Sequence, residues 1–298
     1  MADSMKKDVA AEVREFLGTR RARLTPQQAG LPVYGGKRRV AGLRREEVAL
    51  LAGMSVDYYI RLERGNLSGA SDSVLEALAH ALQLDEAERT HLYDLARAAT
   101  PSGRRHTATS SRVRPTIMRL LDSMADVPAY VRNARFDVLA ANTLGRALYA
   151  SVYDSPLFAQ RGPVNSARFM FLDPASREFW ADWDKGADDA VAFLRTETGR
   201  SPHDRALTDL IGELTTRSDD FARRWARHDV KFHRSGVKHL HHPLVGDLAL
   251  PYEAMELPSD PGLRLNFYTP EPDSPEREAL NLLASWASTA TGVPTAND

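Results

Sequence analysis

The chain has 298 residues, a formal net charge of −1, 43% hydrophobic residues and no cysteine. That length suits two domains of ordinary size, each with its own core, and the apolar fraction is that of a globular chain. The lack of cysteine excludes disulfides, thiolate catalysis and Cys-based zinc or iron–sulfur centres. The net charge hides an asymmetry. Residues 1–112 hold 18 Lys+Arg against 14 Asp+Glu, the remainder holds 21 against 26, and residues 14–64 hold 11 against 5. A basic N-terminal lobe on a near-neutral chain points to a polyanion as the partner of that lobe. The first eight residues lack a signal-peptide core. No apolar run reaches the roughly 18 residues of a membrane span. The expectation is a cytoplasmic protein with no membrane partner.

In chain order, residues 8–23 are predicted helical, with Val9, Val13, Phe16 and Leu17 on one face. Residues 25–42 form a loop with two prolines, four glycines and the basic triplet Lys37-Arg38-Arg39. Helices are predicted over about 44–51, 55–64, 71–82 and 85–98, with N-caps in Ser71–Ser73 and at Asp85. Residues 101–112 have the composition of a solvated linker. Beyond them, Val127–Asn133 and Arg135–Ala140 read as strands, followed by a helix over 141–150. An aromatic-rich helical stretch covers 165–229. Strands at about 236–242, 247–257 and 263–269 and a helix over 275–290 complete the chain. The expected architecture is an all-α five-helix domain (1–100), a linker (101–112), and an α+β domain with an antiparallel sheet (113–298).

The informative segment is Arg44–Gly65, RREEVALLAGMSVDYYIRLERG. Two short helices meet at a turn holding Gly53. Val48, Ala49, Leu50 and Leu51 supply apolar positions on the first helix, and Tyr59 and Leu62 on the second. The small side chain of Ala49 lies where the two helices must approach closely. Ser55, Asp57, Tyr58, Arg61 and Arg64 remain on the outer side of the second helix, and all can hydrogen-bond. Such a helix fits the major groove of double-stranded DNA. A plain helical hairpin is the competing reading; the basic surroundings favour DNA.

These residues resemble the Xre family of helix-turn-helix regulators. The longer string GLRREEVALLAGMSVDYYIRLERG, together with VLAANTLGRALY, ARFMFLDP and RWARHDV, is similar to its MmyB-like branch. The resemblance implies a five-helix DNA-binding domain followed by a PAS-like domain that binds a small apolar, fatty-acid-like ligand, with no other cofactor. It places Arg45 at a phosphate and gives Ser55, Asp57, Tyr58 and Arg61 the outward positions of the reading helix. Arg44, Arg64 and the loop cations Lys37, Arg38 and Arg39 extend the expected DNA-binding set. The long loop between the first two helices departs from simple Xre proteins.

For the second domain the expected ligand residues are Leu139, Asn142, Phe169, Phe171, Trp225 and Tyr252 as walls, with Arg224 as anchor for an acidic head group. Trp180 and Trp183 belong to the same aromatic set. His239 and His241 share a strand face, but the acids nearby lack ligand spacing, so no metal site is expected. No nucleophile elbow, phosphate loop, dinucleotide fingerprint or zinc-protease motif occurs, so no catalytic residues and no enzyme activity are expected. The function expected is a ligand-responsive transcription regulator, a homodimer on an inverted-repeat operator, associated with the nucleoid. An enzyme fused to a DNA-binding domain, or a regulator whose second half is a protein-interaction module, are the alternatives.

Overall fold

The computed structural model describes residues 2–32, 40–100, 112–159, 162–202, 204–230 and 235–290. The chain divides into two compact units. The first joins the N-terminal helices with residues 191–202 and 223–230; the second holds the rest of the C-terminal half. The expected division was linear, with everything after 113 in one domain. The expected linker lies, apart from Arg112, outside the described residues.

The first unit contains the five expected helices: α1 (Ala2–Arg23), α2 (Arg45–Leu51), α3 (Val56–Glu63), α4 (Asp72–Ala81) and α5 (Glu86–Ala99). Ser71 and Asp85 cap α4 and α5 by accepting from the amides of Val74 and Glu88, as their side chains suit. Val13, Phe16 and Leu17 of α1 are fully buried with Val48, Ala49, Tyr59, Leu62, Leu78 and Leu92, forming one core. Leu50 departs from the expectation and stands 71% exposed. Gly65 follows α3 at φ +98°, and a Cβ there would meet the Ala10 carbonyl oxygen at 2.4 Å, so α1 packs where only glycine fits.

The second unit begins with α6 (Pro115–Ser123), which the sequence reading missed. Then come β1 (Ala129–Asn133), β2 (Val138–Ala141), α7 (Thr143–Leu148), α8 (Ala150–Tyr153), α9 (Ser166–Leu172) and α10 (Ser176–Phe179). The long α11 (Trp183–Arg200) starts here and ends in the first unit. After it run α12 (Arg205–Arg217), α13 (Asp219–Trp225), β3 (Ser235–His242), β4 (Gly246–Glu256), β5 (Leu263–Tyr268) and α14 (Pro275–Ala290). The strands form one antiparallel sheet in the order β2-β1-β5-β4-β3, confirming the α+β expectation.

Alternation along β1 sorts the two faces of this sheet. Ala129 and Val131 pack with Ile117 and Leu121 of α6 and with Leu263 and Leu265 of β5. Tyr130 and Arg132 point to the other face, where the cavity described below lies. Asn142 locks the β2–α7 corner. Its Oδ1 accepts from the amides of Ala129 (3.1 Å) and Gly145 (2.7 Å), and its Nδ2 donates to the carbonyls of Met124 and Val127, both at 2.7 Å. An Asn142→Ala variant leaves two buried amides and two carbonyls without these partners, each costing about 1–3 kcal/mol if unmet. We expect a loss of about 2–4 kcal/mol, read by denaturant titration. A loss below ~1 kcal/mol contradicts the assignment.

Candidate nucleic-acid interface and ligand cavity

The helix-turn-helix is built from α2, a turn and α3. Gly53 in the turn has φ +63° with open space around it, so backbone conformation and not crowding calls for glycine there. Ser55 caps α3 by accepting from the Tyr58 amide at 3.2 Å, and Asp57 stands in the first turn, where a negative charge suits the helix dipole. Tyr59 and Leu62 are buried, which turns Ser55, Asp57, Arg61 and Arg64 outward. Tyr58 is half-buried, with the Arg61 guanidinium 4.8 Å from its ring centroid.

Sequence reasoning missed the residue that fixes this surface. Glu63 ends α3 with only 3% of its surface exposed. One carboxylate oxygen accepts from Arg21 Nε of α1 at 2.8 Å, and the other accepts from Arg45 Nε of α2. Three helices therefore converge on one buried carboxylate, and its hydrogen bond raises the Arg45 pKa above the usual value. Arg45 is still half-exposed. Arg44 is also exposed; its amide donates to Glu47 Oε2 at 2.6 Å, closing the start of α2, and its guanidinium lies 3.3 Å from Glu46. Lys37, Arg38 and Arg39 lie outside the described residues.

The second unit holds a cavity of about 40 Å³ on the Tyr130–Arg132 face of the sheet. Its walls are mainly aromatic and apolar: Tyr130, Phe136, Tyr149, Met170, Trp180 and Ala190. Two cations join them. Arg132, 1% exposed, has its guanidinium 4.3 Å from the Phe136 ring centroid, and Lys238 Nζ lies 5.6 Å from that of Trp180 and 5.2 Å from that of Tyr252. Tyr149 and Tyr268 share a hydroxyl–hydroxyl hydrogen bond; burial pushes both pKa values well above the usual phenol range, so both stay neutral.

None of the seven expected ligand residues lines this cavity. The Tyr252 ring centroid lies 5.2 Å from Nζ of Lys238, a wall residue. Asn142 is committed to the β2–α7 corner, and Leu139 packs against the opposite sheet face. Phe169 is core, edge-on to Phe179, and Phe171 is edge-on to Trp183 and Phe221. Arg224 and Trp225 belong to the first unit, where Trp225 carries the Arg195 guanidinium 3.6 Å from its ring centroid. Helical spacing marks aromatics as buried, but it does not say which of them border a void. Three late histidines lie on or beside β3. His239 and His241 are exposed beside Asp182 (2.5 Å) and Asp247 (2.7 Å), and buried His242 sits 3.1 Å from the Ala147 carbonyl oxygen.

An exposed polar helix on a helix-turn-helix, joined in one chain to an α+β unit with an internal cavity, defines a DNA-binding transcription regulator with a ligand-binding domain. The comparisons agree. A helix-turn-helix domain model matches residues 12–92, and the model of the MmyB-like transcription regulator ligand binding domain matches residues 113–283. The chain belongs to the MmyB-like transcription regulators. Comparison with curated proteins gives no match. Among the described residues no helix is long and apolar enough to cross a membrane.

The interface predicts two separable phenotypes. Arg61→Ala is expected to weaken specific binding by roughly 1–3 kcal/mol while relaxing preference at one base position. Arg45→Ala is expected to weaken all sequences alike. Competition binding with mismatched sites checks this. An Arg61→Ala protein with unchanged affinity and preference would mean that α3 reads DNA through a different face.

Proposed function

We propose that the protein is a sequence-specific regulator whose affinity for DNA is set by a small apolar acid bound in the second unit, with a long-chain fatty acid as the first chemistry to test. The observation that carries this reading is the cavity itself, with aromatic walls flanked by the two cations Arg132 and Lys238. Apolar walls with a few polar anchors are the usual make-up of a small-molecule site, and an arginine suits a carboxylate head. In this reading the chain is a binding protein and not a catalyst, and it works at the DNA in the cytoplasm, associated with the nucleoid. It acts as a homodimer on an inverted repeat, because one helix-turn-helix discriminates too few base pairs alone.

The size of the cavity supports a coupled mechanism. About 40 Å³ is far below the roughly 300–1,000 Å³ of a typical ligand site. An acyl chain therefore binds a conformer in which the walls have parted, and a ligand that prefers one conformer shifts the population toward it. Gly186 and Ala190 of α11 form part of that wall, and Gly186 lies close to Met170 of α9: a Cβ there would stand 3.2 Å from the methionine methyl. Parting the wall thus acts on the helix whose second half lies in the DNA-binding unit.

The test begins with selection of an operator from random DNA. Operator affinity and intrinsic tryptophan fluorescence are then titrated with a series of saturated fatty acids. We expect one chain length to quench Trp180 and to change operator affinity at least ~5-fold, a usual size for coupling between sites. Ala190→Leu, which fills the cavity, is expected to remove both effects. If no acid perturbs the fluorescence and organic extraction of the purified protein yields none, the fatty-acid reading is wrong.

A further inference from the structure

The first unit contains a cluster that the DNA-binding surface does not use. Glu12 and Glu15 lie one turn apart on α1, and His228 lies just beyond α13. One ligand atom from each lies within 4.8 Å of the other two. His228 Nε2 is 3.0 Å from Glu15 Oε2, and its Nδ1 is 3.8 Å from Glu12 Oε1. That Nδ1 is buried and makes no hydrogen bond.

A second histidine aims at the same carboxylate. His91 of α5 is completely buried, neither ring nitrogen makes a hydrogen bond, and its Nε2 lies 3.8 Å from Glu12 Oε1. Its Nδ1 side is closed by Gly199, where a Cβ would stand 2.6 Å away, so Nε2 is the nitrogen left to act. Both histidines thus face the Glu12 carboxylate at 3.8 Å, too long for a direct hydrogen bond and wide enough for an ion between them. Arg195 Nη1 lies 2.7 Å from both oxygens of Glu12 and orients it.

We propose that Glu12, Glu15 and one ring nitrogen of His228, Nε2 on the Glu15 side, with His91 in reach, bind a divalent first-row transition ion of the Zn²⁺ type. Imidazole nitrogens with carboxylate oxygens are the donor set such ions take where cysteine is absent. Ligand atoms about 2.0–2.1 Å from a tetrahedral ion stand ~3.3 Å from one another, so the cluster closes on an ion with shifts of about an ångström. The ion ties the segment at His228, whose backbone holds the left-handed φ of +54°, to α1 of the helix-turn-helix unit. Sequence spacing offered no hint of this, because the histidine lies more than two hundred residues from the two glutamates.

The test uses the full chain after chelator treatment, titrated with Zn²⁺ by calorimetry and with Co²⁺ by visible absorption. The expected result is one ion per chain, Co²⁺ bands of a four- or five-coordinate site, and a higher melting temperature with Zn²⁺. Glu15→Gln changes a half-exposed carboxylate and leaves the core alone; it is expected to weaken Zn²⁺ at least tenfold, as is His228→Ala. His241→Ala, at the exposed pair with Asp247, is expected to change nothing. The proposal is overturned if neither ion binds, if binding survives Glu15→Gln and His228→Ala at wild-type affinity, or if His241→Ala abolishes it.

Discussion

Arg195 carries its charge where almost no water reaches it, with 1% of its surface exposed, so that charge has to be met by partners inside the fold. Its Nη1 grips both oxygens of Glu12, its Nη2 donates to the Trp225 carbonyl, and its guanidinium plane lies over the Trp225 ring. Three segments remote in sequence, α1, α11 and the end of α13, meet at this one side chain. Burial alone would raise the pKa of the Glu12 carboxyl. His228, His91 and the Arg195 guanidinium outweigh that and hold it well below the usual carboxylate range. A buried pair of this kind is costly to break from one side, because the remaining charge stays desolvated.

The consequence is that α11 serves two units. Its first half presents Gly186 and Ala190 to the cavity, and its second half is fixed by Arg195 among the DNA-binding helices. A helix is stiff along its axis, since each turn is bonded to the next. One half of this helix is thus held by ionic contacts, and the other half borders the cavity. On the DNA side, Glu63 does for α1, α2 and α3 what Arg195 does for α1, α11 and α13: one buried charge takes partners from separate helices and fixes their angles.

Much of this was legible in the sequence, where the signal is local. Apolar periodicity, cap residues and turns placed α2 to α5, the five strands and α14 near their observed bounds, because those features are set by neighbours within a few residues, whereas α1 begins at Ala2, six residues before the expected start. The outward face of α3 followed from the burial of Tyr59 and Leu62. What local patterns do not display is long-range. Arg224 and Trp225 sit in the aromatic-rich half of the sequence but belong to the first unit, where Trp225 meets Arg195 and, through it, Glu12 of α1, an arrangement no local window can display. Asn142 carried a readable N-cap signal before α7, and that local role uses its polar atoms. The cavity cations Arg132 and Lys238 alternate with apolar residues on strands, where a charged side chain ordinarily implies solvent. Only the packing of helices over that face reveals them as buried or flanking a void.

Hydrogen exchange along α11 tests the shared-helix account most directly. In an Arg195→Met chain, the amides of residues 191–200 are predicted to lose much of their protection, because the charge that fixes them is gone. Those of residues 183–190, held by Trp183 and the cavity wall, are predicted to keep nearly wild-type rates. Uniform loss along the whole helix, or no change in either half, would contradict the claim that α11 is anchored separately at its two ends.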